Sequence, residues 1–516
     1  MSTITAPNEP SPAAKTPRLR RNAVGFWPLL AQSVALISPT MTAVLIIGLA
    51  FADSGRGTWA AYLFGTVMLL FVVLGLNQFA KRSATAGSMY AYTAKGLGPA
   101  AGILSGWTLM WSYLFIATVG LAGAAVFAGQ LMGSLGIHGH VTPLVWFALS
   151  GALCGTIAWK DIRISSVLTL VFEGLSVACI LILAFIILFK HGFSVDTSAV
   201  DLKGVSLKGM DFAIVICIFS LVGFESATAL GGEAKDATRT VPRAVICSLL
   251  ITGGFMVFMS YVEVFATQHG PSLGSLATPL NSIAGAYNVP VFRGLVSIGA
   301  IISFFSLSLS CLNAGARIVF PLAGHGFLPK RLHVSHPKNM TPHMALAAYG
   351  TVILTVAVVL YAQGWNVLTL FGDAGTLAAF GFLLAYFLIA IASPFYLRKL
   401  GELRRRNVVI AVLGFLCLLV PTVGSFYPAP PSPINLFPYI FLGYMMLGGG
   451  WLFLLNRRQP GTLGAIEASL ERALEDSVHA AVHGEEVSID QPPAFDFAPA
   501  GAGLRPGVTA TQPDQG

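Results

Sequence analysis

The chain has 516 residues, 55% hydrophobic and 10% charged, with a mean hydropathy of +0.75 and a net charge of +8. A soluble domain carries roughly 25% charged residues, so this composition excludes an ordinary soluble protein and points to an all-α integral membrane protein whose surroundings are the lipid bilayer. The basic excess sits in short loops beside apolar runs, as topology signals do, and argues against a nucleic-acid partner.

Residues 1–24 are polar, Pro-rich and basic, with no plausible cleavage site, and are expected to form a disordered cytoplasmic N-terminus. Twelve apolar runs follow, at 25–51, 57–79, 101–133, 141–158, 163–190, 211–232, 241–267, 290–321, 343–362, 366–396, 407–427 and 433–455. Each is of the length that spans a bilayer as a helix. Twelve crossings from a cytoplasmic start return the C-terminus inside, with residues 456–516 as a cytoplasmic tail. On this topology twenty-five of the thirty Lys and Arg residues face the cytoplasm, and five (Arg56, Lys190, Lys203, Lys208 and Arg293) face outward. A bias of that size across every loop supports the count and the orientation.

Two of the runs are interrupted. The first reads QSVALISPTMTAVLIIGLAF, with Pro39 in mid-membrane between Ser38 and Thr40. A proline there lacks an amide hydrogen and frees a carbonyl, and lipid offers neither group a partner. The sixth reads FAIVICIFSLVGFESATALGGEA, interrupted at Gly223, Glu225 and Ser226. Breaks five spans apart fit two inverted five-helix repeats with spans eleven and twelve appended. In such an arrangement discontinuous helices meet near the midplane and hold substrate and ions. The candidate binding residues are therefore Ser38, Thr40, Met41 and Thr42 at the first break, and Gly223, Phe224, Glu225 and Ser226 at the second.

Within the spans lie Glu173, Glu225, Glu263 and Asp373. A charge at mid-membrane costs about 2.5–3.5 kcal/mol on insertion scales, so each needs a role or a partner. Glu225 has two readings: it holds a substrate amine or a proton, or it caps the freed amides of the second half-helix. Glu263 and Asp373 lie nearer span ends, where a solvated vestibule or helix-end role is expected. Glu233 reads as part of a loop charge network with Lys235, Asp236, Arg239 and Arg243. The six cysteines form no CxxC pair and read as small buried hydrophobes. No P-loop or HExxH occurs, so no cofactor, metal or enzymatic chemistry is indicated.

Three patches carry a resemblance. They are GFESATALGGEAKDATRTVPRAV from Gly223, FAKRSATAGSMYAYTAKGLG at 79–98, and LNAGARIVFPLAGHGFLPKRLHVSHPKNMTPHMAL at 312–346. Together they resemble the amino acid–polyamine–organocation superfamily of permeases, over about residues 25–455. The resemblance implies a LeuT-type fold, a transporter domain at 25–455 in the cytoplasmic membrane, and secondary transport of a small amino acid or amine by alternating access. A fold-sharing sensor or channel is the weaker alternative. One departure bears on the substrate: where many members carry a Gly-rich break, this chain has ISPTMTA, so a substrate carboxylate must use the amides or hydroxyls of Thr40, Met41 and Thr42.

The resemblance also places span five near the first broken helix. Glu173 there either stands in for sodium as a proton carrier or hydrogen-bonds a hydroxyl of a neighbouring helix. Tyr113 and Trp111 of span three either cover the site or pack in the core. A sodium site would draw on span-eight hydroxyls, Ser306 and Ser310, although membrane serines more often serve helix packing. Coupling to a proton, to sodium, or to exchange thus stays open, with the proton favoured.

Overall fold

The computed structural model describes residues 23–464 except 83–88, 138–140, 161, 194–196, 269, 428–431 and 459–462. The N-terminal segment through residue 22, the tail beyond residue 464 and part of the 79–98 patch lie outside the described residues.

The helices follow the apolar runs closely. In chain order they are α1 (Phe26–Ile37), α2 (Pro39–Met41), a π-helical turn (Thr42–Ile46), α3 (Ile47–Ser54), α4 (Thr58–Ala80) and α5 (Met89–Leu97). Then come α6 (Pro99–Ser134), α7 (Pro143–Lys160), α8 (Ile162–Lys190), α9 (Leu207–Leu221), α10 (Ser226–Ala229) and α11 (Ala237–Ala266). The last are α12 (Pro279–Ala286), α13 (Val291–Gly324), α14 (His343–Ala362), α15 (Val367–Lys399), α16 (Arg405–Gly424) and α17 (Phe437–Arg458). Each long helix is apolar on all sides, as a helix must be when protein covers one face and lipid the other.

Among the described residues ten helical runs are long and apolar enough to cross a membrane. The first, Phe26–Ala80, has 55 residues. At 1.5 Å per residue it would extend about 80 Å, more than twice the roughly 30 Å hydrocarbon thickness. It is interrupted between α3 and α4 by the 3-10 turn Gly55–Gly57, where Gly55 has φ 54°. The 18-residue α7 lies outside those ten.

α6 and α13 pack along one another at the centre, flanked by α15 and α8. α1 lies against α11, α8 and α13, while α4 lies between α11, α9 and α16. α7 pairs with α14, and α17 joins the outside of α6 and α15. The outer helices leave large apolar side chains uncovered, among them Leu149 of α7 (57% exposed) and Met446 of α17 (72%). Uncovered surface of this kind is an aggregation liability in water and a normal lipid contact in a bilayer. The chain is a multi-pass membrane protein.

Candidate binding site at two helix breaks

The first break begins one residue before the proline. A following proline pushes its predecessor out of the helical region, and Ser38 turns to φ 52°, ψ 74°. Its amide still donates to Val34 O at 2.8 Å, which ends α1. Its hydroxyl accepts from the Met41 amide at 3.4 Å, which restarts the helix. The π-helical turn beyond it was not foreseen. Such turns widen a helix and recur at functional sites; here the Thr42 hydroxyl is buried without a hydrogen-bond partner.

Glu173 of α8 reaches this break. Its carboxylate accepts from Thr40 Oγ1 at 3.2 Å and from Ser303 Oγ of α13 at 2.6 Å. Ser176 stands 2.8 Å from the Thr40 hydroxyl, and Ser38 stands 3.2 Å from that of Ser303. A carboxylate on one helix thus ties two others together across the discontinuity. Ser306 and Ser310 do not join it: both hydroxyls are buried without a hydrogen-bond partner.

The second break is built around Gly223. α9 ends at Leu221, Val222 is extended, and Gly223 has φ 104°. A Cβ at Gly223 would fall 2.1 Å from Leu36 Cδ2 of α1, so both the backbone angle and the space require glycine. Glu225 precedes α10, but its side chain makes no capping bond. The cap comes from α1. Ser33 Oγ accepts from the Ala227 amide at 3.0 Å and donates to Phe224 O at 2.7 Å. Ser226 Oγ donates to Gln32 O at 3.1 Å. Each broken helix therefore satisfies part of the other's freed backbone, as hydrocarbon surroundings demand.

The Glu225 carboxylate stays within reach of the break's own Gly223 and Glu225 amides and turns to two tyrosines. It accepts from Tyr113 OH of α6 at 2.9 Å and from Tyr386 OH of α15 at 2.5 Å, and the residue is fully buried. Tyr386 OH also accepts from the Gly223 amide at 3.1 Å, and its ring stacks on Phe224 at 5.0 Å between centroids. Trp111 turns away, donating to Leu377 O at 2.7 Å and packing against Tyr444.

These elements lie inside one family match. Residues 29–428 match the amino acid permease family. The chain belongs to that family. It is a secondary transporter of the amino acid and amine class, as the superfamily resemblance implied. It is similar to the branched-chain amino acid permease BcaP of Bacillus subtilis, 22% identical over 84% of this chain and 90% of the relative. It is also similar to the low-affinity putrescine importer PlaP of Escherichia coli K12, 25% identical over 78% of this chain and 86% of the relative. A solved structure of a substrate-bound, outward-open Na+-coupled sialic acid symporter aligns with a TM-score of 0.49 at 14% identity, over 76% of this chain and 88% of that one.

Beyond the breaks the permease departs from its sequence reading in two places. Glu233 is no loop charge. It is buried in an ion pair with Arg317 of α13, whose second guanidinium nitrogen lies 3.2 Å from Glu233 Oε2. Arg317, read as a topology signal, is 1% exposed. The pair survives burial because each charge neutralises the other and Arg317 also donates to Asn313 O at 3.1 Å. The chain entering α1 docks there too: the amides of Ala23 and Val24 donate to Glu233 O at 2.9 and 3.1 Å. Removing one partner of such a pair costs about 3–5 kcal/mol. Arg317→Met is therefore expected to lower the melting temperature in detergent sharply, and adding Glu233→Leu to restore part of the loss. A double variant worse than the single one would contradict the pairing.

The second concerns Glu263 and Asp373, read as solvated-vestibule or helix-end groups; Glu263 does lie on the last turn of α11. Both are buried, at 0% and 7% exposure. Both carboxylate oxygens of Glu263 and one of Asp373 lack a hydrogen-bond partner.

Sequence reasoning did not single out Ser33, Ser303, Tyr386 or the pairing of Arg317. Only Ser303 carried a signal, being part of the serine-rich stretch SFFSLSLSC.

Proposed function

We propose that the chain moves an amino acid or related amine across the cell membrane by alternating access, with the substrate held at the two helix breaks and a proton as coupling ion. The observation that carries this reading is the pair of carboxylates. Glu225 sits at one break on two tyrosine hydroxyls, and Glu173 spans the other through Thr40 and Ser303. Glu225 presents a fixed anion for a substrate ammonium, beside the hydroxyls of Tyr113 and Tyr386. At the first break the Met41 and Thr42 amides already donate to Ser38, which leaves the unpartnered Thr42 hydroxyl as the group for a substrate carboxylate. Glu173, bonded to the Thr40 and Ser303 hydroxyls and near the Thr40 backbone with no cation beside it among the described residues, takes up and releases the driving proton. That step changes how tightly the first break is held against α8 and α13. Relatives named for branched-chain amino acids and for putrescine leave the class at amino acids and amines.

The architecture we propose is twelve spans in a transporter domain at 25–455, with both termini cytoplasmic. The first ten spans form two inverted repeats. Splitting the first long run at Gly55 and adding α7 to the ten runs gives twelve. Contacts support the repeat. Span one (α1) packs on six (α10), two (α4) on seven (α11), three (α6) on eight (α13) and four (α7) on nine (α14). Exchanging the halves turns the α6–α15 contact into the α13–α8 contact, and α1–α11 into α9–α4. The carboxylate clusters follow the same exchange. Glu173 unites spans five, one and eight, and Glu225 unites their images, spans ten, six and three. On this topology the Glu233–Arg317 pair closes the cytoplasmic end.

A sodium-coupled reading has one observation in its favour, the unpartnered hydroxyls of Ser306 and Ser310. Glu173→Gln decides between the two. If the proton drives transport through Glu173, the variant's uptake loses its dependence on external pH while its substrate affinity persists. An unchanged pH profile, with uptake that follows a sodium gradient, would remove Glu173 from coupling and favour the serines.

A further inference from the structure

Glu263 is the one buried carboxylate that the two breaks do not use and that, among the described residues, no hydrogen bond reaches at either oxygen. It lies on the last turn of α11, whose final residue is Ala266. α11 packs against α4 and α1, and more lightly against α10, α8, α12, α3, α9 and the π-helical turn; α1 and α10 carry no titratable group. From α4, Tyr62 stands within electrostatic reach of Glu263 and beside Cys217 and Ser220 of α9. Tyr62 is fully buried against Ser220 and Cys217, and its hydroxyl makes no hydrogen bond to Glu263. A fully buried carboxylate with both oxygens orphaned marks a site rather than a packing accident, since each orphaned oxygen has a desolvation cost.

The surroundings decide what the site takes. A bare carboxylate there would carry a desolvation penalty of several kcal/mol, and among the described residues no cation is bonded to it. Tyr62 and Cys217 are the titratable groups facing Glu263 from α4 and α9. α3 brings only Asp53, which is exposed, and neither α12 nor the 3-10 turn Leu273–Ser275 carries a titratable group. At the end of α11, His191 packs on Phe265 at 4.7 Å and Tyr287 OH donates to Ala266 O at 3.4 Å. Lys190 donates to the Tyr287 carbonyl. None of these groups is bonded to Glu263. A hard cation takes about six or more oxygen ligands, and the neighbourhood offers the hydroxyls of Tyr62 and Ser220 beside a thiol.

We propose that Glu263 is a proton-binding site in its own right, distinct from the two carboxylates at the breaks, and that it loads from the outer side. Its place on the last turn of α11 puts it at the end that the proposed topology assigns to the outer side, opposite the buried Glu233–Arg317 pair. The inference rests on the transport reading for its purpose, not for its chemistry.

The test is infrared titration of the purified full-length chain in lipid bilayers, which reads protonated carboxylic acids directly and requires no substrate. The wild type is expected to show an acid band that disappears as pH rises and is missing from Glu263→Gln. The band should persist in Glu173→Gln and Glu225→Gln. Glu263→Leu, apolar and of similar size, serves if the glutamine variant folds poorly. An identical acid band in Glu263→Gln, or a Glu263 ionised at every pH, would overturn the proposal. So would a Glu263 band that responds to sodium and not to protons. Failure of every substrate to be transported would bear on the proposed function and leave this result standing.

Discussion

Replacing Glu225 by Gln is expected to cut substrate uptake by roughly ten- to a hundredfold while the protein still folds and reaches the membrane. The magnitude is that of one hydrogen bond to a charged group, about 1.5–3 kcal/mol, at 1.4 kcal/mol per factor of ten. Folding is spared because the amide is nearly isosteric: its oxygen still accepts from one of Tyr113 and Tyr386, and its NH2 donates to the other, whose hydroxyl rotates to accept. The backbone of the second break is held by Ser33, not by this side chain, so the break itself persists. Uptake assays with matched surface expression and thermal unfolding in detergent separate the two effects. Wild-type transport in this variant would remove Glu225 from the binding site.

Gly223→Ala acts on the opposite quantity. At φ 104° a non-glycine residue is strained, and the added methyl falls 2.1 Å from Leu36 Cδ2. Backbone strain of about 1–3 kcal/mol and overpacking of similar size together reach roughly 2–6 kcal/mol, a large share of a typical stability. Little folded protein is expected. Leu36→Ala in the same chain should return part of the loss, because it removes the side-chain overlap and leaves the backbone strain. A Gly223→Ala variant that melts like the wild type would show that the break tolerates a side chain, contrary to this geometry.

The helices were readable in the sequence because length and hydropathy alone fix a membrane span. The runs predicted at 343–362 and 57–79 correspond to α14 and to α4 within a residue. The breaks were readable because Pro39 and Gly223 act through local backbone chemistry. What holds the breaks was not. Ser33, Ser303 and Tyr386 are single polar residues in apolar runs, and their partners lie more than a hundred positions away. Nothing local distinguishes them from serines and tyrosines that serve packing. Arg317 misled for the same reason. A basic residue near a span end looks like a topology signal until the fold brings Glu233 beside it. Glu263 looked peripheral by its position in the run, yet the packed helices bury it completely.

The measurement that tests the central claim most directly is uptake by the purified chain in liposomes. A panel of labelled branched-chain and other amino acids and of polyamines would be offered under a proton gradient, a sodium gradient, or neither. The account predicts accumulation of at least one amino acid or amine above its external concentration, driven by the proton gradient and lost in Glu225→Gln. Accumulation that requires sodium, or that is undiminished in Glu225→Gln, would contradict it.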